Sequence, residues 1–74
     1  MKELLEFIIK SIVGSPEKVS ITEEASEITS FIIKVPQEEI GLVIGQQGKV
    51  IKAIKSLLLV LSKGERFALE VQEA

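Results

Sequence analysis

The sequence predicts a small α+β domain of order α-β-β-α-α-β, with three helices packed on one face of a mixed three-stranded sheet. Apolar residues recur at helical spacing in three segments, two others alternate polar and apolar residues with a period of two, and a third short segment is rich in β-branched residues. The link from the second strand to the third contains two helices. Such a crossover makes those strands parallel if they are neighbours. Its 74 residues form one domain, 1–74, near the size at which a single core becomes marginal. Hydrophobic residues make up 46% of the chain, enough for a compact core.

Residues 2–13 form the first helix. Leu4, Leu5, Ile8, Ile9 and Ile12 share one face, while Lys2, Glu3, Glu6 and Lys10 face out. Gly14-Ser15-Pro16 ends it, the glycine as a C-cap and the proline because it cannot continue a helix. Residues 18–23 alternate as a half-exposed strand, and 24–27 form a polar turn. Residues 28–35, rich in β-branched side chains, form a second strand. The short link pairs the two as an antiparallel hairpin. Pro36 is pre-set for the first turn of a helix running to about Ile44, and Glu38 and Glu39 complement its N-terminal dipole. The third helix runs from about Lys49 to Ser62 and stops at Gly64. Residues 66–72 form the last strand, with Phe67, Leu69 and Val71 inward. No internal repeat, low-complexity segment or linker interrupts this order.

Composition narrows the function. The chain has no cysteine and no histidine, which removes disulfides, thiolate–imidazole metal sites, cysteine nucleophiles and histidine bases. Catalysis would rest on Glu, Lys or Ser, and none is paired for it. A non-enzymatic protein without cofactor or metal is expected. No apolar run approaches the roughly 20 residues that span a bilayer. Residues 1–10 superficially resemble a signal peptide, but Glu3 and Glu6 interrupt the apolar stretch and no small-residue cleavage site follows. A soluble, cytoplasmic protein with no membrane partner is the expectation. The net charge of −2 argues against a generic polyanion binder, yet the charges are unevenly placed. Residues 45–66 carry Lys49, Lys52, Lys55, Lys63 and Arg66 against Glu65 alone. The basic charge begins where a glycine turn ends.

That turn lies within residues 43–54, Val-Ile-Gly-Gln-Gln-Gly-Lys-Val-Ile-Lys-Ala-Ile. A tight turn between helices leaves backbone N–H groups unpaired at the start of the second helix, where the dipole is positive. Without Cβ atoms at Gly45 and Gly48, a sugar–phosphate chain can approach the backbone closely. Two glycines three apart also suit a plain corner between helices. Here the spacing Ile44-Gly45-Gln46-Gln47-Gly48-Lys49-Val50-Ile51 lies in strand–helix–turn–helix–strand order. The chain thereby resembles the KH domains, whose signature is Ile-Gly-x-x-Gly-x-x-Ile. Its element order looks like their type II arrangement, and its length is similar to that of the small bacterial single-KH proteins, the KhpA-like family.

The resemblance implies that Gly45, Gln46, Gln47 and Gly48 clamp the backbone of about four nucleotides of single-stranded RNA, or of single-stranded DNA. Bases would splay over an apolar groove between the two helices and the central strand, near Val43, Ile44 and Ile51. The sequence departs from the family in one respect. Many KH loops carry Lys or Arg at the two variable positions, whereas here stand Gln46 and Gln47, which donate hydrogen bonds without charge. Lys49 and Lys52, just past the loop, are candidates to supply that charge, and Lys55 suits a solvated face. Arg66 is a further RNA candidate beside the turn into the last strand. Neutralising about two phosphates gives a shallow salt dependence, a several-fold loss for a fourfold rise in salt. Phe7, Phe31 and Phe67 fall on inward phases, for core packing rather than base stacking.

The third helix is apolar over about half its circumference. Val50, Ile51, Ile54, Leu57, Leu58 and Leu61 make the inward arc, Ala53 and Val60 extend it, and Leu59 lies opposite. Ala53, Leu57 and Val60 are dimer candidates. The family resemblance points to a homodimer or to pairing with a larger KH-containing protein. The expected function is non-enzymatic binding of single-stranded RNA, as an RNA chaperone or post-transcriptional regulator. A protein-interaction module of KH fold with little RNA affinity is the alternative. A duplex-binding helix-turn-helix over 37–62 would need polar base-reading residues where lysines and apolar residues stand.

Overall fold

The computed structural model describes residues 1–74. Its elements are α1 (Lys2–Ile12), β1 (Ser20–Ala25), β2 (Thr29–Val35), α2 (Ile40–Ile44), α3 (Lys49–Leu61) and β3 (Phe67–Glu73). Single 3-10 turns at Pro16–Lys18, Gln37–Glu39 and Gln46–Gly48 precede β1, α2 and α3. The α+β class and the mixed sheet are as expected. β2 is central, antiparallel to β1 and parallel to β3, so the α2–α3 crossover does impose parallel pairing. Paired residues share a sheet face, so Ile21 with Ile33, Phe31 with Leu69, and Ile33 with Val71 point toward one side. Leu5 and Ile9 of α1 and Ile54 and Leu58 of α3 join these strands in one buried cluster. Phe31 and Phe67 meet edge to face there, ring centroids 6.4 Å apart. No helix is long and apolar enough to cross a membrane.

Element ends depart from the expectation for local reasons. α1 stops at Ile12, and Gly14 is no left-handed cap, since only Gly45, Gly48 and Gly64 among the glycines have positive φ. Val13 turns extended instead (φ −96°, ψ 157°) and buries its side chain in the core. β1 begins later than predicted because Pro16, with its fixed φ, opens a 3-10 turn that Lys18 N–H closes on the Ser15 carbonyl at 2.9 Å. It continues through Ala25, past residues whose polarity suggested a turn, because ladder bonds to β2 satisfy their backbone. The turn proper is 26–28, where Ser26 N–H donates to the Ile28 carbonyl. Ile28, expected in the strand, is exposed in that turn.

Two burial expectations fail. Phe7 is 69% exposed. Leu5 and Ile9 define the inner face of α1, and Phe7 lies about 200° around the helix from either. On α3 only Ile54 and Leu58 are buried, with Val50 and Ile51 packed partly against the core, while Leu57 and Leu61, expected in the inward arc, stand exposed. The sheet and the neighbouring α1 and α2 cover a single stripe of α3, not half its circumference. On the outer side of α1, Lys10 bonds Glu6 at 2.9 Å, and that hydrogen bond and charge hold the Glu6 carboxyl below the usual carboxylate range.

Glu39 also departs from its expected role. It stands at the N-cap of α2 but makes no side-chain cap bond, and it is only 7% exposed. Its Oε1 instead accepts the N–H of Gly14, 25 residues earlier, at 2.5 Å. Glu38, by contrast, is exposed in the turn before α2, as a dipole partner should be.

Candidate nucleic-acid interface

The turn between α2 and α3 is built from backbone that ordinary residues avoid. Gly45 N–H donates to the Gly41 carbonyl at 2.8 Å and ends α2. Positive φ follows at Gly45 (75°), Gln47 (57°) and Gly48 (74°). Gly48 N–H donates back to the Gly45 carbonyl at 3.2 Å, and Lys49 N–H to the Gln46 carbonyl. The start of α3 is therefore less open than the sequence suggested. The amides left over belong to Gln46 and Gln47, which open their 3-10 turn and enter none of the turn, loop or cap bonds. Both side chains are exposed, as solvent-facing donors should be. A helical residue followed by a left-handed one turns successive N–H groups into a shared concavity suited to an anion.

The two glycines serve different ends. A Cβ at Gly45 would collide with the Val50 side chain and lie 2.8 Å from the Val50 backbone nitrogen. Val50 thus seats on the bare Cα of Gly45 and closes the turn. A Cβ at Gly48 would meet nothing nearer than 4.0 Å, from Ile51 Cγ2 and Lys52 Cε. Only its left-handed backbone calls for glycine. The same distances place the Lys52 stem back along the loop.

Most predicted site residues gather here. Gln46, Gln47, Lys49 and Lys52 are exposed, and Gly45, Gly48, Ile44 and Ile51 are half-buried. Val43 is an exception, since its side chain is fully buried in the core and offers no surface to a ligand. Arg66 is another. It follows the far end of α3, whose 13 residues span about 20 Å, and Glu65 N–H to Ser62 carbonyl holds the chain there. No carboxylate occurs between Gly45 and Gly64, and none of the α3 lysines is engaged in an ion pair. Ala53, Leu57 and Val60 form an exposed stripe on α3, with Val60 74% exposed. Sequence reasoning missed Leu42, half exposed on α2 next to the loop. The signal was available, because apolar residues at 40, 42, 43 and 44 exceed what one face of a five-residue helix can bury. It also missed the seating of Val50, assigned only to the inward arc.

Comparison with known proteins places the whole fold in a family. The family model described as KhpA/KhpB, KH domain matches residues 2–72. An RNA-binding protein KhpA of Chlamydia pneumoniae is 41% identical over 76 aligned positions, covering 99% of this chain and 97% of that protein. A protein of the same name from Clostridium acetobutylicum is 36% identical, covering 96% of this chain and 99% of its own. Another from Listeria monocytogenes is 38% identical over 89% of this chain and 90% of its own.

The unequal roles of the glycines give an unequal response to alanine. Gly48→Ala should cost about 1–2 kcal/mol, the price of left-handed backbone alone. Gly45→Ala adds overpacking against Val50, about 1–3 kcal/mol more. Urea denaturation of the two variants measures the difference, and equal costs would contradict the seating of Val50.

Proposed function

This chain belongs to the KhpA/KhpB family of KH domains, and from that premise we propose that it binds single-stranded RNA without catalysing a reaction. The relatives are named RNA-binding proteins. The element order supports a type II KH fold occupying 1–74, with 45–48 as its Gly-x-x-Gly loop. The observation that carries the reading is the pair of uncommitted amides at Gln46 and Gln47, beside lysines with no ion-pair partner.

In this reading Gly45 and Gly48 let the sugar–phosphate chain approach the backbone. Gln46 and Gln47 donate to phosphate oxygens through main-chain and side-chain N–H groups, and Lys49 and Lys52 neutralise about two phosphates. Half-buried Ile44 and Ile51, with exposed Leu42, offer an apolar ledge to the bases, and buried Val43 supports it from beneath. Arg66 is reached only by a longer strand. Single-stranded DNA presents the same phosphates, so the amide clamp accepts it too. A weak, reversible, backbone-led grip suits an RNA chaperone or post-transcriptional regulator in the cytoplasm.

A second contact surface is part of the proposal. The exposed stripe Ala53, Leu57 and Val60 favours pairing with a second copy or with another KH-containing protein. A module that only pairs, with little RNA affinity, is the competing account.

Replacing Gln46 and Gln47 together by Asp should weaken binding of a labelled single-stranded oligonucleotide at least about tenfold, as two carboxylates repel phosphate. For the parent, raising salt fourfold should cost only several-fold in affinity, the signature of about two neutralised phosphates. Fluorescence anisotropy reads both, and undiminished binding by the Asp variant would exclude the loop. Separately, replacing Leu57 and Val60 by Lys should convert a sedimenting dimer into a monomer. An unchanged sedimentation coefficient would remove the stripe as the pairing surface.

A further inference from the structure

We infer that Glu39 is a positioning residue for the loop, holding α2 so that the Gln46 and Gln47 amides are presented outward; its bearing on RNA rests on the function proposed above. α2 has only five residues, far below the roughly 12–15 at which an isolated helix becomes even marginal in water. Its placement therefore depends on a few tethers. Val43 is fully buried, Ile40 is half-buried, and Gly41 and Leu42 are exposed. At the far end Val50 closes onto Gly45. At the near end the tether is the Glu39 carboxylate, whose Oε1 accepts the Gly14 N–H just beyond α1.

Two features set this bond apart from ordinary packing. Glu39 sits where a short polar side chain normally caps the helix, yet its carboxylate turns away from α2 and crosses to Gly14. Its Oε2 is buried without any hydrogen-bond partner. A buried, unpaired carboxylate oxygen lowers stability, so stability alone gives no reason for it. What the carboxylate adds is a directional link between α1 and the helix that carries the loop. The fit is close, since a Cβ at Gly14 would lie 2.9 Å from Oε1.

Three variants of the full chain test the link, Glu39→Met, Glu39→Gln and Gly14→Ala. Each is measured for thermal midpoint, for the amide resonances of residues 45–48 without RNA, and for affinity toward a 12-nucleotide oligouridine. Glu39→Met fills the same space without the buried carboxylate. It should melt at or above the parent temperature, yet shift or broaden the loop amides and bind RNA about three- to tenfold more weakly, as the competent loop becomes a fraction of the population. Glu39→Gln keeps a carbonyl oxygen for the Gly14 N–H and should stay near the parent in loop resonances and affinity. Gly14→Ala crowds the carboxylate from the other side and should move the loop amides without a large change in midpoint. Loop amides unmoved in Glu39→Met and Gly14→Ala would overturn the inference, as would a Gln variant as defective as Met. If the parent binds no oligouridine, the RNA reading fails while the loop resonances still decide the role of Glu39.

Discussion

The seating of Val50 on Gly45 closes the turn from which the rest of the site takes its geometry. A β-branched side chain at the first turn of α3 fills the space a Cβ at Gly45 would occupy. With that contact made, the chain reverses within four residues, and Gly48 and Lys49 direct their amides inward to the Gly45 and Gln46 carbonyls. Gln46 and Gln47 are then left with N–H groups that nothing in the chain satisfies. Outside a ligand complex water must serve them, and a phosphate oxygen can replace that water without rearranging the backbone. The site is preorganised by packing rather than by charge.

Charge enters at one remove. The loop itself is neutral, the chain as a whole is acidic, and the local field comes from α3, which carries Lys49, Lys52 and Lys55 with no carboxylate among them. The Lys52 stem passes beside Gly48, Cε 4.0 Å from where a Cβ there would lie, and Lys49 directly follows the loop. Such an arrangement offers an approaching anion little long-range attraction. α3 also bears the exposed stripe of Ala53, Leu57 and Val60. A second domain docked there would add binding strength by linkage rather than by new contacts to each strand.

Much of the fold was legible because periodicity reports burial directly. β2 is marked by its β-branched residues and β3 by its alternating sequence, and the crossover between them dictates their parallel pairing. The glycine turn was legible because its spacing has a steric reason. What escaped the sequence depended on partners distant along the chain. Glu39 looked like a dipole partner for its own helix, and nothing local signals that Gly14 receives its carboxylate. The sequence pattern puts Phe7 on an inward phase of its helix, yet the face chosen by Leu5 and Ile9 turns it outward. The apolar width of α3 was visible, but how much of it a three-stranded sheet can cover was not. Gln46, Gln47, Lys49 and Lys52, chosen for proximity to the motif, do stand exposed at or beside the turn. The burial of Val43 and the placement of Arg66 beyond the far end of α3 were not visible, because sequence spacing gives neither depth nor direction.

The central claim is that the free amides of Gln46 and Gln47 are where a single strand is held. Titrating nitrogen-15-labelled protein with a short single-stranded RNA and following each backbone amide tests it residue by residue. The account predicts the largest saturable shifts at Gln46 and Gln47, smaller ones at Gly48, Lys49 and Lys52, and none in the hairpin of β1 and β2. Saturable shifts centred on the hairpin or on the far end of α3, with the two glutamine amides unmoved, would contradict it.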